Sequence, residues 1–131
     1  MPKADPRFCA SWARRLCLSL RLASLSHKEL LADTFRSSRG ILPGVNRDIV
    51  DLQVLRATPL VCQHIDRDGV DRAFDDLMAS GGWLIFYSHD VAESPSPCGC
   101  TADLLQHALQ AASRRKLPIV TVAAALDRAG A

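Results

Sequence analysis

Aromatic side chains are scarce in this chain, 5% of its residues with a single tyrosine, and the net charge at neutral pH is only +2. A nucleic-acid-binding surface needs a strongly basic face and rings for stacking, so no nucleic-acid partner is expected. No apolar run reaches the roughly 18 residues that a membrane-spanning helix requires, so no membrane partner is expected either. The five cysteines include no Cys-x-x-Cys pair: Cys98 and Cys100 are one residue apart and the others stand alone. Structural zinc sites use wider spacings, and a Cys-Gly-Cys pair closes only a strained disulfide. Neither a metal site nor a redox centre is therefore expected here, and an odd cysteine count fits a reducing compartment.

With 48% hydrophobic and 23% charged residues over 131 positions, the composition is that of one globular domain, since domains cluster at about 100 to 150 residues. The chain divides near residue 24. Residues 1–23 are expected to form a poorly ordered N-terminus, and residues 24–131 the folded part. Within the first stretch, "FCASWARRLCLSLRLAS" has no acidic residue and fits a basic amphipathic helix. Arg14, Arg15 and Arg21 interrupt the unbroken apolar segment that a secretory signal needs, although an Arg- and Ser-rich, acid-poor composition also fits a transit peptide. A cytoplasmic location is expected.

From Ser26 onward the local signals are regular. Ser26 followed by Glu29 matches a capping box, predicting a helix through about Phe35. Gly40, Pro43 and Gly44 mark a loop, and "LRATPLVC" suits a short strand in which Pro59 requires an edge or a bulge. "DRDGVDRAFDDLMASGG" places Val70, Phe74 and Leu77 on one helical face, with Asp66 or Asp68 as N-cap, Gly81 as stop, and Asp75 and Asp76 towards solvent. "WLIFYS" is a strand-length apolar run without alternation, which predicts burial on both faces as in a parallel sheet covered by helices. Thr101 caps a long helix with Leu104, Leu105, Ala108 and Ala112 at helical spacing, "LPIVTV" reads as another buried strand, and "AAALDRAG" as a last helix ending at Gly130. Strands alternating with helices predict right-handed crossovers and an α/β layered or barrel fold.

The buried run ends on His89 and Asp90. In parallel α/β folds the carboxyl ends of the strands open onto the ligand crevice, and an imidazole there exchanges a proton near neutral pH. His89 is thus a candidate catalytic residue. Asp90 points to the other side if the strand persists, where it is placed to cap the following loop.

"GGWLIFYSHDV", then "SPSPCGCT", a long helix and "PIVTV" closely resemble the C-terminal end of the NodB-like polysaccharide deacetylases, metal-dependent carbohydrate esterases with a distorted (β/α) barrel. "FRSSRGILPGVN" and "LRATPLVCQHIDRD" are similar to the matching upstream stretch, so the resemblance runs from about Ser24 to Leu126. It implies an α/β fold, a partial (β/α) barrel holding only the C-terminal strands and helices. In that family a divalent metal, usually zinc, is held by an Asp and two His and activates water. A second Asp is the base, and a His in a Leu-x-His motif protonates the leaving amine. That motif corresponds to Tyr87-Ser88-His89. The resemblance therefore implies that His89 is the general acid and that Tyr87 replaces the Leu lining the acetyl pocket, a substrate-binding position. Asp66 and Asp68 both remain open as the acid that orients the His.

The family's Asp-Asp, His-x-x-x-His and Arg-x-Pro-Tyr motifs have no counterpart before Ser24, Asp75-Asp76 lies too late, and His27, His64 and His107 lack partners at ligand spacing. The expectation is a fragment of a hydrolase that removes N-acetyl groups from an amino-sugar polymer or glycolipid, encoded by a truncated or frame-shifted reading frame. Such a chain holds no cofactor and is inactive alone, because metal activation of water supplies much of the nucleophile. A carbohydrate substrate is expected only when an N-terminal half completes the chain. Exposed strand edges would favour self-association. The alternative is a non-enzymatic carbohydrate- or protein-binding α/β module.

Overall fold

The named strands of this chain pair two by two and in parallel. The computed structural model describes residues 15–17 and 25–131. Its elements are β1 (Arg15–Cys17), α1 (Leu25–Thr34), β2 (Ser37–Arg39), β3 (Thr58–Pro59), α2 (Arg67–Ser80), β4 (Phe86–Tyr87), α3 (Ala102–Arg114) and α4 (Val122–Ala129). β1 pairs with β2 and β3 with β4, both in parallel. Leu55 joins the two pairs: its N–H donates to the Ser38 carbonyl and its carbonyl accepts from Gly40 N, each at 2.9 Å. Neighbours within each two-stranded sheet are successive strands of the chain; α1 connects β1 to β2 and α2 connects β3 to β4, whereas residues 40–57 between β2 and β3 hold no helix. The fold is mixed α/β.

Pro59 is accommodated because the ladder to β4 uses the residues on either side of it. Thr58 N donates to the Ile85 carbonyl at 2.8 Å and Leu60 N to the Tyr87 carbonyl at 2.7 Å, so the proline nitrogen falls where no donor is needed. The helix boundaries follow the capping signals. Asp66 accepts from Gly69 N at the start of α2, Thr101 from Leu104 N at the start of α3, and Gly130 ends α4 in the left-handed region that glycine enters without steric cost.

Four expectations are corrected. Ser26 is the second residue of α1 rather than its cap, since the helix already begins at Leu25. The apolar run from Trp83 is not a long strand buried on both faces: β4 covers Phe86–Tyr87, Ile85 alone of the run is fully buried, and Trp83 pairs backwards with Asn46. One neighbouring strand covers only one edge, so the ladder stays short. The run from Leu117 to Val122 takes no strand pairing, and Ile119 and Val120 are 62% and 38% exposed, because a cavity separates it from β4. Arg15–Cys17, expected within a disordered or helical N-terminus, pair as β1, and the rest of residues 1–24 lies outside the described residues.

The core lies between the sheet and α2 and α3. Leu60, Val70, Phe74, Cys100, Leu104, Ala108, Ala111 and Ala112 form its main cluster, with Phe86 packed against it. Three alanines on α3 let α2 approach closely, and the Phe74 and Phe86 rings meet at 5.7 Å in a tilted arrangement. Leu55, Ala57 and Ile85 form a smaller cluster. A polar clamp closes the outer side of the α2–α3 contact: Asp71 lies 2.9 Å from Nε2 of His107 and 3.3 Å from Arg115, which also reaches Asp75 at 2.7 Å. Burial acts to raise the Asp71 carboxyl, but the bonds from His107 and Arg115 overcome it and hold the group below its ordinary value. Asp75 and Asp76 are exposed as expected, yet each has a cationic neighbour, Arg115 and Arg47 respectively.

Phe74→Ala removes the ring shared by α2, β4 and the Arg115 guanidinium. It is expected to cost about 3 to 5 kcal/mol, the range for emptying a buried phenylalanine site, measured as a lowered urea midpoint with the slope unchanged.

Candidate functional site at the end of β4

β4 ends at Tyr87, and the chain then turns away through Ser88 and His89, which is exposed. The His89 amide donates to the Cys98 carbonyl at 3.2 Å. Its imidazole has no hydrogen-bond partner among the described residues. The ring is thus held by its backbone and presented to solvent, not packed into hydrocarbon.

Asp90 organises everything that follows. Its carboxylate accepts from both the amide and the hydroxyl of Ser96. Its carbonyl accepts from Cys100 N at 2.9 Å and from Ser88 Oγ at 3.1 Å. The Ser96 hydroxyl and then its amide hold the Asp90 carboxyl below its usual value against a smaller effect of burial, with a further contribution from the His89 ring. Gly99 is required by this clamp, because a Cβ there would lie 2.2 Å from Oδ1 of Asp90 and 2.9 Å from its carbonyl oxygen. Asp90 therefore caps the loop after β4, although the strand ends at Tyr87 and its alternation does not extend to Asp90.

The two cysteines of the loop have opposite environments. Cys100 is fully buried in the core, Cys98 is exposed, and with Cys62 both carry free thiols. Cys62 ties the end of β3 to this loop: its amide donates to the Gly99 carbonyl at 3.1 Å, and its sulfur accepts from Thr101 N at 3.3 Å.

Tyr87 is half-buried against the Leu55–Ala57–Ile85 cluster. The Arg39 guanidinium lies over its ring at 4.0 Å from the centroid, a cation–π distance worth about 0.5 to 2 kcal/mol. One face of Tyr87 is thus already covered. Sequence reasoning missed Arg39, since the two positions lie far apart in the chain and no local pattern connects them. It also missed Ser96 and Gly99, although an Asp followed by a Ser- and Pro-rich loop is a turn signal of the kind that identifies such a clamp.

The remaining candidates do not converge on His89. Asp66 is the cap of α2 and Asp68 sits in its first turn, while His64 follows β3 in a turn and His107 belongs to the α2–α3 clamp. Among the described residues no group of three His, Cys, Asp or Glu side chains is placed to hold a metal ion. The divalent metal implied by the resemblance therefore has no fit among them. The described residues also contain no helix long and apolar enough to cross a membrane. A cavity of about 860 Å³ lies beside β4, but neither Tyr87 nor His89 lines it. Comparison of the chain with protein-family models, with curated proteins and with solved structures finds no match.

Since the Asp90 carboxyl is held in its charged form, the loop clamp is complete above the ordinary carboxylate value of about 3.9 and is lost as pH falls through the lowered native value. Hydrogen exchange at Ser96 N, followed by NMR, should accelerate on that acidification relative to the amides of α3. Gly99→Ala should produce the same acceleration at neutral pH and move the His89 ring resonances. Unchanged exchange in both experiments excludes the clamp.

Proposed function

We propose that this chain supplies the acid side of a polysaccharide deacetylase of the NodB-like kind, with His89 the proton donor, and that it does not turn over substrate by itself. The observation that carries this is the His89 imidazole, exposed and without a hydrogen-bond partner among the described residues, where the chain leaves β4. Parallel strands adjacent in chain order are consistent with a segment of a (β/α) barrel, in which side chains at the carboxyl ends of strands meet the substrate. As the C–N bond of an N-acetyl group breaks, the departing nitrogen must take up a proton, and a protonated imidazole at a strand mouth is suited to give it. Tyr87, stacked under Arg39, would form a fixed wall of the acetyl site. The substrate class is an N-acetylated amino-sugar polymer or glycolipid.

No step is assigned to a metal, because the described residues do not assemble a site for one. Deacetylation therefore requires a further polypeptide segment carrying a His-x-x-x-His motif and an upstream Asp-Asp motif, for which Asp75-Asp76 lies too late in the chain.

Acetate release from N-acetylglucosamine oligomers, with zinc added, is expected to stay at the blank for the chain alone and to rise when such a segment is co-expressed with it. In that assembly His89→Ala should lower kcat by about 100- to 10,000-fold, the usual contribution of a general acid. Turnover by the isolated chain, or indifference of the assembly to His89→Ala, overturns the proposal.

A further inference from the structure

The cavity of about 860 Å³ separates β4 from the run Leu117–Val122, and its walls include Leu84, Phe86, Leu105, Leu117, Ile119 and Leu126. Two stretches of backbone that pair with no strand among the described residues border it. β4 turns Ile85 and Tyr87 towards β3 through their carbonyls. Alternation then directs the amides and carbonyls of Leu84 and Phe86 to the opposite edge, where no strand pairs among the described residues. On the other side Ile119 and Val120 are 62% and 38% exposed although both are strong β-formers. Both ends of this run are anchored. Leu117 N donates to the Ala112 carbonyl at 3.0 Å, and Thr121 Oγ1 accepts from Ala124 N at 3.2 Å as the cap of α4.

We propose that Pro118–Thr121 is a strap that closes onto the free edge of β4 as a further parallel strand, eliminating the cavity. The connection from β4 through α3 to this run is a strand–helix–strand crossover, which brings its second strand back parallel to the first. Pro118 falls at the first position of the strap, where a missing donor is tolerated. Register follows from the same residue: Pro118 and Val120 turn away from β4, while Ile119 and Thr121 direct their amides to the Leu84 and Phe86 edge. Parallel pairing brings Thr121 to the end of the sheet that carries His89. A second copy of the chain pairing at the same edge is the rival occupant. It must associate from solution, whereas a segment anchored at both ends acts at an effective concentration on the order of millimolar.

Amide exchange in the full chain, followed by NMR at two protein concentrations tenfold apart, decides the matter. Closure predicts that Phe86, Ile119 and Thr121 exchange roughly 100-fold slower than unstructured amides, equally at both concentrations. Ile119→Pro deletes a donor and should return Phe86 to near-unprotected exchange while Val70 and Ala108 keep their protection. Ile119→Ala retains the donor and should leave Phe86 protected to within a few-fold, which separates a lost strap bond from a general loss of packing. Unprotected Phe86 and Ile119 in the unmodified chain overturn the strap, and so does protection that fades on dilution, which would assign the edge to a second copy.

Discussion

The parallel pairing of β3 with β4 is the constraint on which the rest of the structure depends. Two bonds, from Thr58 N and Leu60 N to the Ile85 and Tyr87 carbonyls, fix the register. Each is worth only about 1 kcal/mol net, but a one-residue slip would exchange the faces of every side chain on β4. Phe86 would lose Phe74 and the α2–α3 layer, and Ile85 would lose Leu55 and Ala57. Apolar burial on both sides thus enforces what the hydrogen bonds specify, and the same register determines where the chain leaves the sheet at His89.

From that exit point the loop is governed by one carboxylate. Asp90 binds Ser96 at one end of the loop and, through its carbonyl, Cys100 at the other. The close approach excludes any side chain at position 99. Cys100 then enters the core, and Thr101 starts α3 by capping it. A proposed proton donor is therefore mounted between a half-buried strand and a clamped loop, with a ring that makes no hydrogen bond among the described residues.

Much of this was legible in the residues. The caps at Asp66 and Thr101, the stop at Gly130 and the apolar faces of α2 and α3 depend on neighbours within a few positions, so spacing alone exposes them. The Ser26–Glu29 signal misled because a cap also depends on where the helix already runs. The Trp83–Ser88 and Leu117–Val122 runs misled for a different reason: apolar content measures a preference for burial, but strand length depends on a partner edge being present. The Arg39–Tyr87 stack and the Asp71–His107–Arg115–Asp75 clamp join separate elements and leave no local trace.

By itself the sequence determined the order of the four helices, the residues that cap or end α2, α3 and α4, and the location of a histidine directly after an apolar run, because each rests on backbone preference or on side chains close in the chain. Tertiary structure alone decided that β4 is short with one edge unpaired among the described residues, that Tyr87 lies beneath Arg39, and that Ser96 and Gly99 complete the clamp around Asp90. Those outcomes turn on which distant groups come within a few ångströms, and that distance is set by the packing of the whole sheet and its helices.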